Sequence, residues 1–403
     1  MIVFGIIVIL LFVSLALGQL GGIMISPGIV IYVHDILIPP LLAVFFLARR
    51  PLPKLHLKIP ILLFVLVATV SLFMNSQDYT YFELLQSSLH LMRWVLYVSL
   101  YGVVASGILS GRFWLRGIYI TTLLVSIFGL VQYMFYPTLR NLNYLGWDEH
   151  YYRLFSTFFD PNFVGLFISL GFFLGMTFLI SRNPQSNTAL YCIGQVLLLL
   201  SLFLTYSRSS FLAFSVGMIV FLALYRKYSF IIIFLIVFLG ILTLLPTRER
   251  NILRLTRSES AIARLGSWQQ SINLFLEKPI LGHGFNTLRF IQLKRGWMSD
   301  EPFVSRGAGG VDSSILFVAI TTGSIGVGAF LFFLYRMIQL GIPFLSDHKE
   351  KSLAVAFLAS IAAIICHSLF VNSLFYPWIL LWMWIVTGVV EERSTADKLL
   401  SAR

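Results

Sequence analysis

A chain of 403 residues, 58% hydrophobic and only 11% charged, with a mean hydropathy of +0.88, carries more apolar surface than a water-soluble core of this size can hide. Its formal net charge of +12 does not point to nucleic acid, because the basic residues fall in short clusters between apolar runs, where they set membrane orientation. The two cysteines, Cys192 and Cys366, lie inside apolar runs and read as small buried hydrophobes, which supports neither a disulfide framework nor a thiolate metal site.

A membrane span needs about 20 mostly apolar residues. The chain offers about twelve such runs, centred near Leu10, Leu41, Leu66, Tyr97, Leu124, Leu170, Leu198, Val216, Ile233, Val327, Ile361 and Leu381. The fold class this predicts is all-α, a single integral membrane domain over residues 1–403. The first run lacks a basic leader and a small-residue cleavage site, so it is expected to stay as a helix. Alternate connections carry fifteen basic residues: Arg49, Arg50, Lys54 and Lys58; Arg112 and Arg116; Arg182; Arg226 and Lys227; Arg336, Lys349 and Lys351; and Arg393, Lys398 and Arg403. The intervening short connections carry only Arg140, Arg153 and Arg208. Basic residues gather on the cytoplasmic side, so both termini are expected there.

Two charges fall inside predicted spans. Asp35 in YVHDILIPP and Arg93 in HLMRWVLY sit about a third of the way in from the same side, and an isolated charge at that depth is expensive. They are expected to face the bundle interior and to pair; a site-lining role for Arg93 is the other reading. Further on, Arg153 precedes DPNFVG, where Asn162 heads a helix and either meets substrate or caps free backbone donors. The stretch LFLTYSRSSFLAF then places Tyr206, Ser207 and Arg208 at the mouth of a helix. Arg208 reads either as an interfacial anchor or as a phosphate ligand whose planar fork makes two charge-assisted hydrogen bonds.

Residues 246–311 form a predicted extracytoplasmic insertion between spans nine and ten, holding ten of the 29 basic residues. That excess asks for an anionic neighbour, either lipid head groups or a substrate. Within it, SAIARLGSWQQSINLFLEKP predicts a helix with an apolar stripe of Ile262, Leu265, Trp268, Ile272 and Phe275 suited to the membrane surface, and Arg257, Arg264 and Ser271 on a polar face. LGHGFN follows as a glycine-flexed turn, with His283 and Asn286 as candidate ligand contacts and a structural histidine as the plainer reading. Tyr206, Trp268 and Phe285 are candidates to stack on sugar or border a lipid tail, against an aromatic belt as the default.

Four blocks together, STFFDPNFVGLF, TYSRSSFLAF, RLGSWQQSINLFLEKPILGHGFNTLRF and DSSILFVAITTGSIGVGAFLFFLY, resemble the shared region of the O-antigen ligase and O-antigen polymerase superfamily. The resemblance implies a metal-independent, inverting glycosyltransferase of the bacterial inner membrane that needs no cofactor. Its donor would be a glycan on undecaprenyl diphosphate at the periplasmic face, and its acceptor a sugar hydroxyl on another lipid-linked unit (polymerase) or on lipid A core (ligase). It further implies that Arg208 and Arg264 hold the diphosphate. The family's ligases carry a histidine at the start of the helix that here reads DSSILF; Asp312 stands in its place. A carboxylate there reads as a general base for the acceptor hydroxyl or as a helix cap. The departure shifts the expectation toward polymerase. A transporter of lipid-linked sugars is the rival class, but related halves with broken helices meeting at the midplane are not evident.

Overall fold

The computed structural model describes residues 2–26, 29–49, 53–181, 188–244, 258–297 and 310–401, with the side chains of 258–265 and 395–401 excepted. Fourteen α-helices appear among the described residues. They are α1 (Ile2–Leu17), α2 (Val33–Leu47), α3 (Lys58–Met74), α4 (Tyr81–Ala105), α5 (Gly111–Phe135), α6 (Pro161–Ile180) and α7 (Thr188–Leu204), then α8 (Arg208–Leu224), α9 (Tyr228–Leu244), α10 (Ser258–Glu277), α11 (Leu288–Lys294), α12 (Ser314–Gly341), α13 (Lys351–Ser368) and α14 (Pro377–Ser401). Each of the twelve apolar centres falls inside one of these helices. Six described helices are long and apolar enough to cross a membrane, and five further apolar helices are shorter.

One element departs from the all-α expectation. Gly22–Ser26 (β1) and Ile29–Tyr32 (β2) pair antiparallel between α1 and α2, in strands rich in β-branched residues. Cys192 also differs: it is exposed on α7 rather than buried, while Cys366 is half-buried.

The connections separate into two ends. At one, His56 meets Glu391, Arg393 meets Glu350, Ser181 meets Ser352 and Lys351 lies over the Tyr225 ring. At the other, Thr157 bonds to the Ala16 carbonyl, Asn75 to the Gly282 carbonyl, Ser207 to Asn162, and the Leu374 amide to Ser314. The described basic clusters of the alternate short connections belong to the first end, while the insertion adds Lys278, Lys294 and Arg295 at the other.

α13 and α14 form the centre. Ala354, Ala356, Ala359 and Ala363 keep α13 narrow enough for α8 and α6 to pack against it, while α14 fills the middle with Trp378, Trp382 and Trp384. By contrast α9 buries only Phe238 and turns Ile232, Ile236 and Leu239 outward, the face of a helix solvated by lipid.

α12 is broken at Gly323, whose backbone (φ 67°, ψ −169°) is open only to glycine. The break frees carbonyls, and the LGHG turn fills it: the His283 and Gly284 amides donate to the Ile320 and Thr321 carbonyls at 2.9 and 3.0 Å, and Ser324 N donates to Pro279 O at 2.8 Å. A methyl group on Gly323 would stand 2.2 Å from the Ile280 carbonyl oxygen, so the close approach also requires glycine. From α3, Ser71 Oγ lies 2.6 Å from Leu281 O and 2.7 Å from Thr321 O, which ties the insertion to the bundle.

The face of α10 that meets the protein overlaps the predicted membrane-surface stripe and takes in Ser271, which was read as part of the polar face. Ser271 and Leu274 are buried, Trp268 and Phe275 partly so, while Ile272 and Leu276 are exposed. Packing on α12 draws the Ser271–Leu274 edge inward and leaves the larger aliphatics outside. Ile262 and Leu265 carry side chains outside the described set.

Candidate active site

The start of α8 is built from buried hydroxyls. Ser207 is the N-cap, its Oγ accepting from the Ser210 amide at 3.3 Å, and it donates in turn to Asn162 Oδ1 at 2.7 Å. Ser210 Oγ lies 2.9 Å from both the Asn162 carbonyl and Ser207 Oγ. Asn162 is therefore not the cap of its own helix. Asp160 performs that task for α6, accepting from the Asn162 amide at 2.7 Å, with Pro161 at the first helical position. Burial pushes the Asp160 carboxyl above its ordinary range.

Arg153 closes the same corner from the α5–α6 connection. Its Nε donates to Thr205 O at 2.9 Å and its Nη2 to Tyr206 O at 3.3 Å, taking up carbonyls at the C-terminal end of α7. Tyr206 adopts φ 48° in the two-helix corner; burial, with Tyr133 beside it, pushes its phenol up to about 12. Arg208 is the first residue of α8 and is exposed. Its guanidinium thus leaves a helix N-terminus, where backbone donors and the helix dipole already favour an anion.

The hydroxyl cluster continues into the last helices. Ser210 Oγ is 3.4 Å from His367 Nε2, and His367 Nδ1 is 2.5 Å from Ser373 Oγ. The next residue, Leu374, donates its amide to Ser314 Oγ at 3.1 Å in the first turn of α12. A bonded path therefore joins the start of α8 to the start of α12, where Asp312 lies exposed. The cap of α12 is Ser313, whose Oγ accepts from the Leu316 amide at 3.4 Å, so Asp312 is one residue outside the capping position. Trp268 reaches the same region from α10, its ring 6.3 Å from that of Phe370; its indole nitrogen is buried with no hydrogen-bond partner among the described residues. Arg264 lies on α10 about one turn before Trp268, its side chain outside the described set.

The remaining candidates stand apart. Both sides of His283 are held: Nε2 is 2.8 Å from Leu274 O, and its carbonyl accepts from Tyr79 at 2.9 Å and Thr287 at 3.2 Å. Burial lowers its pKa below the ordinary 6.5. Asn286 (φ 60°) accepts from Ser87 through its carbonyl, and Phe285 is core, packed on Phe64, Phe317 and Phe375. Arg93 pairs with Asp35 at 2.9 Å, as the cost of an isolated charge demands; Tyr97 also donates to Asp35, at 2.6 Å. The pair adjoins Tyr32, and Tyr32, Gln19 and Tyr376 lead from it to Phe163, whose ring stacks on Tyr376 at 3.7 Å.

Sequence reasoning missed His367, Ser373 and Tyr376. A histidine near the end of an apolar run, in IICHSLF, was the available signal. Three basic residues of the insertion prove to serve the protein itself: Lys278 bonds Asn75 and Asp78, Lys294 reaches Glu83, and Arg295 meets Glu277. Among the described residues, no three His, Cys, Asp or Glu side chains gather to hold a metal ion.

A comparison with curated proteins finds no match. Residues 193–331, about a third of the chain, match the family model described as O-antigen ligase; that segment holds two of the four sequence blocks whole and most of a third, and the match supports the resemblance to the O-antigen ligase and O-antigen polymerase superfamily.

Proposed function

We propose that this membrane protein moves a glycan from undecaprenyl diphosphate to a sugar hydroxyl at the end of the bundle opposite the basic loops, the outer face of the inner membrane, with both termini cytoplasmic and twelve spans. The observation that carries this reading is the hydrogen-bonded path Asn162–Ser207–Ser210–His367–Ser373/Leu374–Ser314, which fixes the helix starts bearing Arg208 and Asp312 in one framework. α10 supplies the third wall through Trp268, and the family resemblance adds Arg264, on the same helix, as a diphosphate ligand.

In this reading the acceptor oxygen attacks the anomeric carbon opposite the diphosphate and inverts it. Its proton passes to the Asp312 carboxylate, the new carbon–oxygen bond forms, and the bond to the diphosphate breaks with its electron pair leaving on the phosphate oxygen. Charge grows on that oxygen, so Arg208 and Arg264 stabilise the transition state more than the ground state. Arg153, Asn162, Ser207 and Tyr206 keep the start of α8 rigid, which makes Arg208 a preorganised donor. His283, Asn286 and Arg93 support the surrounding walls.

Asp312 in place of the ligase histidine favours a polymerase, whereas the description of the matched family favours a ligase that delivers glycan to lipid A core. Purified protein incubated with its lipid-linked glycan separates them. A ladder of products made without core supports the polymerase; a single product appearing only when core is added supports the ligase and rejects the polymerase.

A further inference from the structure

Two cavities of about 660 Å³ each meet on α5, at the end of the bundle away from the candidate active site, and Arg112 and Arg116 line both. They are four residues apart and so lie on one face of the helix. The first cavity is an apolar groove between α1 and α5, walled by Ile9, Phe12, Val13, Ile120 and Leu124. It faces the membrane, for Ile9, Val13 and Ile120 are 53%, 47% and 54% exposed.

The second cavity is basic. Besides the two arginines, Lys349, Lys351 and Arg393 line it, against Glu350 as the carboxylate among its lining residues. Glu350 is already engaged by Arg393 at 3.5 Å. Arg112, Arg116 and Lys349 make no ion pair among the described residues. The wall also offers the Tyr225 hydroxyl, buried and without a hydrogen-bond partner among the described residues.

A ligand matching both chambers has a phosphate-bearing head and an alkyl tail. We propose that an anionic phospholipid of the leaflet at the basic end occupies this pair of cavities, its phosphodiester oxygens on Arg112 and Arg116 and one acyl chain along the α1–α5 groove. The guanidinium pair accounts for the head, since planar forks match phosphate oxygens. The groove accounts for a lipid in place of a free anion, because inorganic phosphate has no use for its apolar wall. The site is separate from the one assigned to the donor diphosphate and does not depend on that assignment.

Delipidated protein in neutral detergent, titrated with phosphatidylglycerol or phosphatidylcholine and read by native mass spectrometry, tests this. Phosphatidylglycerol is expected to remain bound and phosphatidylcholine to dissociate. The double variant R112Q/R116Q should bind phosphatidylglycerol about thirtyfold more weakly, given the usual contribution of a basic residue at an anionic surface, with helicity unchanged. Lys349→Gln, in an exposed connection where folding is not at stake, should weaken it less. Excess inorganic phosphate should leave the lipid in place. Equal retention of phosphatidylcholine, affinity of the double variant within about threefold of wild type, or full displacement by phosphate would each overturn the proposal, the last in favour of a free-anion site.

Discussion

Ser207 Oγ donates to Asn162 Oδ1 at 2.7 Å, joining the cap of α8 to the first turn of α6 across 45 residues of chain. Asn162→Leu keeps the side chain's shape but removes the acceptor, leaving a buried hydroxyl unsatisfied at a cost of about 1–3 kcal/mol. The expected outcome is a lowered unfolding temperature together with a loss of transfer activity, since Arg208 follows the displaced cap. Ser169→Ala is the control: among the described residues that hydroxyl bonds the Gly165 carbonyl of its own helix, at 2.8 Å, and its loss should leave transfer intact.

Asp312 and Ser313 divide the work at the start of α12. With Ser313 capping the helix, Asp312→Asn leaves the cap in place while removing basicity. General-base assistance is typically worth about 10² to 10⁴ in rate, so turnover at saturating donor and acceptor should fall by at least about 10². Turnover within about threefold of wild type would remove Asp312 from the chemistry.

The LGHG turn should loosen in acid. His283 is buried with its pKa below 6.5, so the undocked turn binds the proton more readily than the docked one. Docking is then fully stable above pH 6.5 and loses stability as pH falls from 6.5 toward the docked-state value. Amide exchange at Gly282 and Gly284 should accelerate between about pH 7 and about pH 5, beyond the intrinsic pH trend, and His283→Asn should abolish the excess.

Arg93 and Asp35 form a pair only 20% and 10% exposed. Arg93→Met strands the carboxylate, a loss of about 3 kcal/mol, at the low end for a buried pair because Arg93 keeps some solvent. Thermal unfolding in detergent should show that loss, and adding Asp35→Leu should recover part of it; a double variant less stable than Arg93→Met would contradict the pairing argument.

How far the sequence was legible follows from the range of each interaction. Each apolar centre falls inside a helix because a long apolar run has few alternatives, six of the described helices being long enough to cross a membrane, and the cost of an intramembrane charge was enough to pair Asp35 with Arg93. The β1–β2 hairpin escaped because nine residues of strand give no long period to detect. His367 escaped for another reason: its partners Ser210 and Ser373 are 157 and 6 residues away, and only the packing of α8 on α13 brings the first within reach. The buried edge of α10 was not predicted, because α12, far along the chain, supplies the surface that selects Ser271 and Leu274. The motifs of the candidate site were visible as residue types; the hydroxyl chain between them was not.

The central claim, transfer from a lipid diphosphate with Arg208 on the departing phosphates, is tested most directly by release of undecaprenyl diphosphate from lipid-linked glycan, measured for purified wild type, Arg208→Lys and Arg208→Ala. Wild type should release it in step with glycan transfer. Arg208→Lys keeps the charge but not the bidentate fork, so it should lose most of the activity while folding normally, and Arg208→Ala should lose more. Arg264→Ala should show a smaller loss. Release by Arg208→Ala at the wild-type rate would contradict the account.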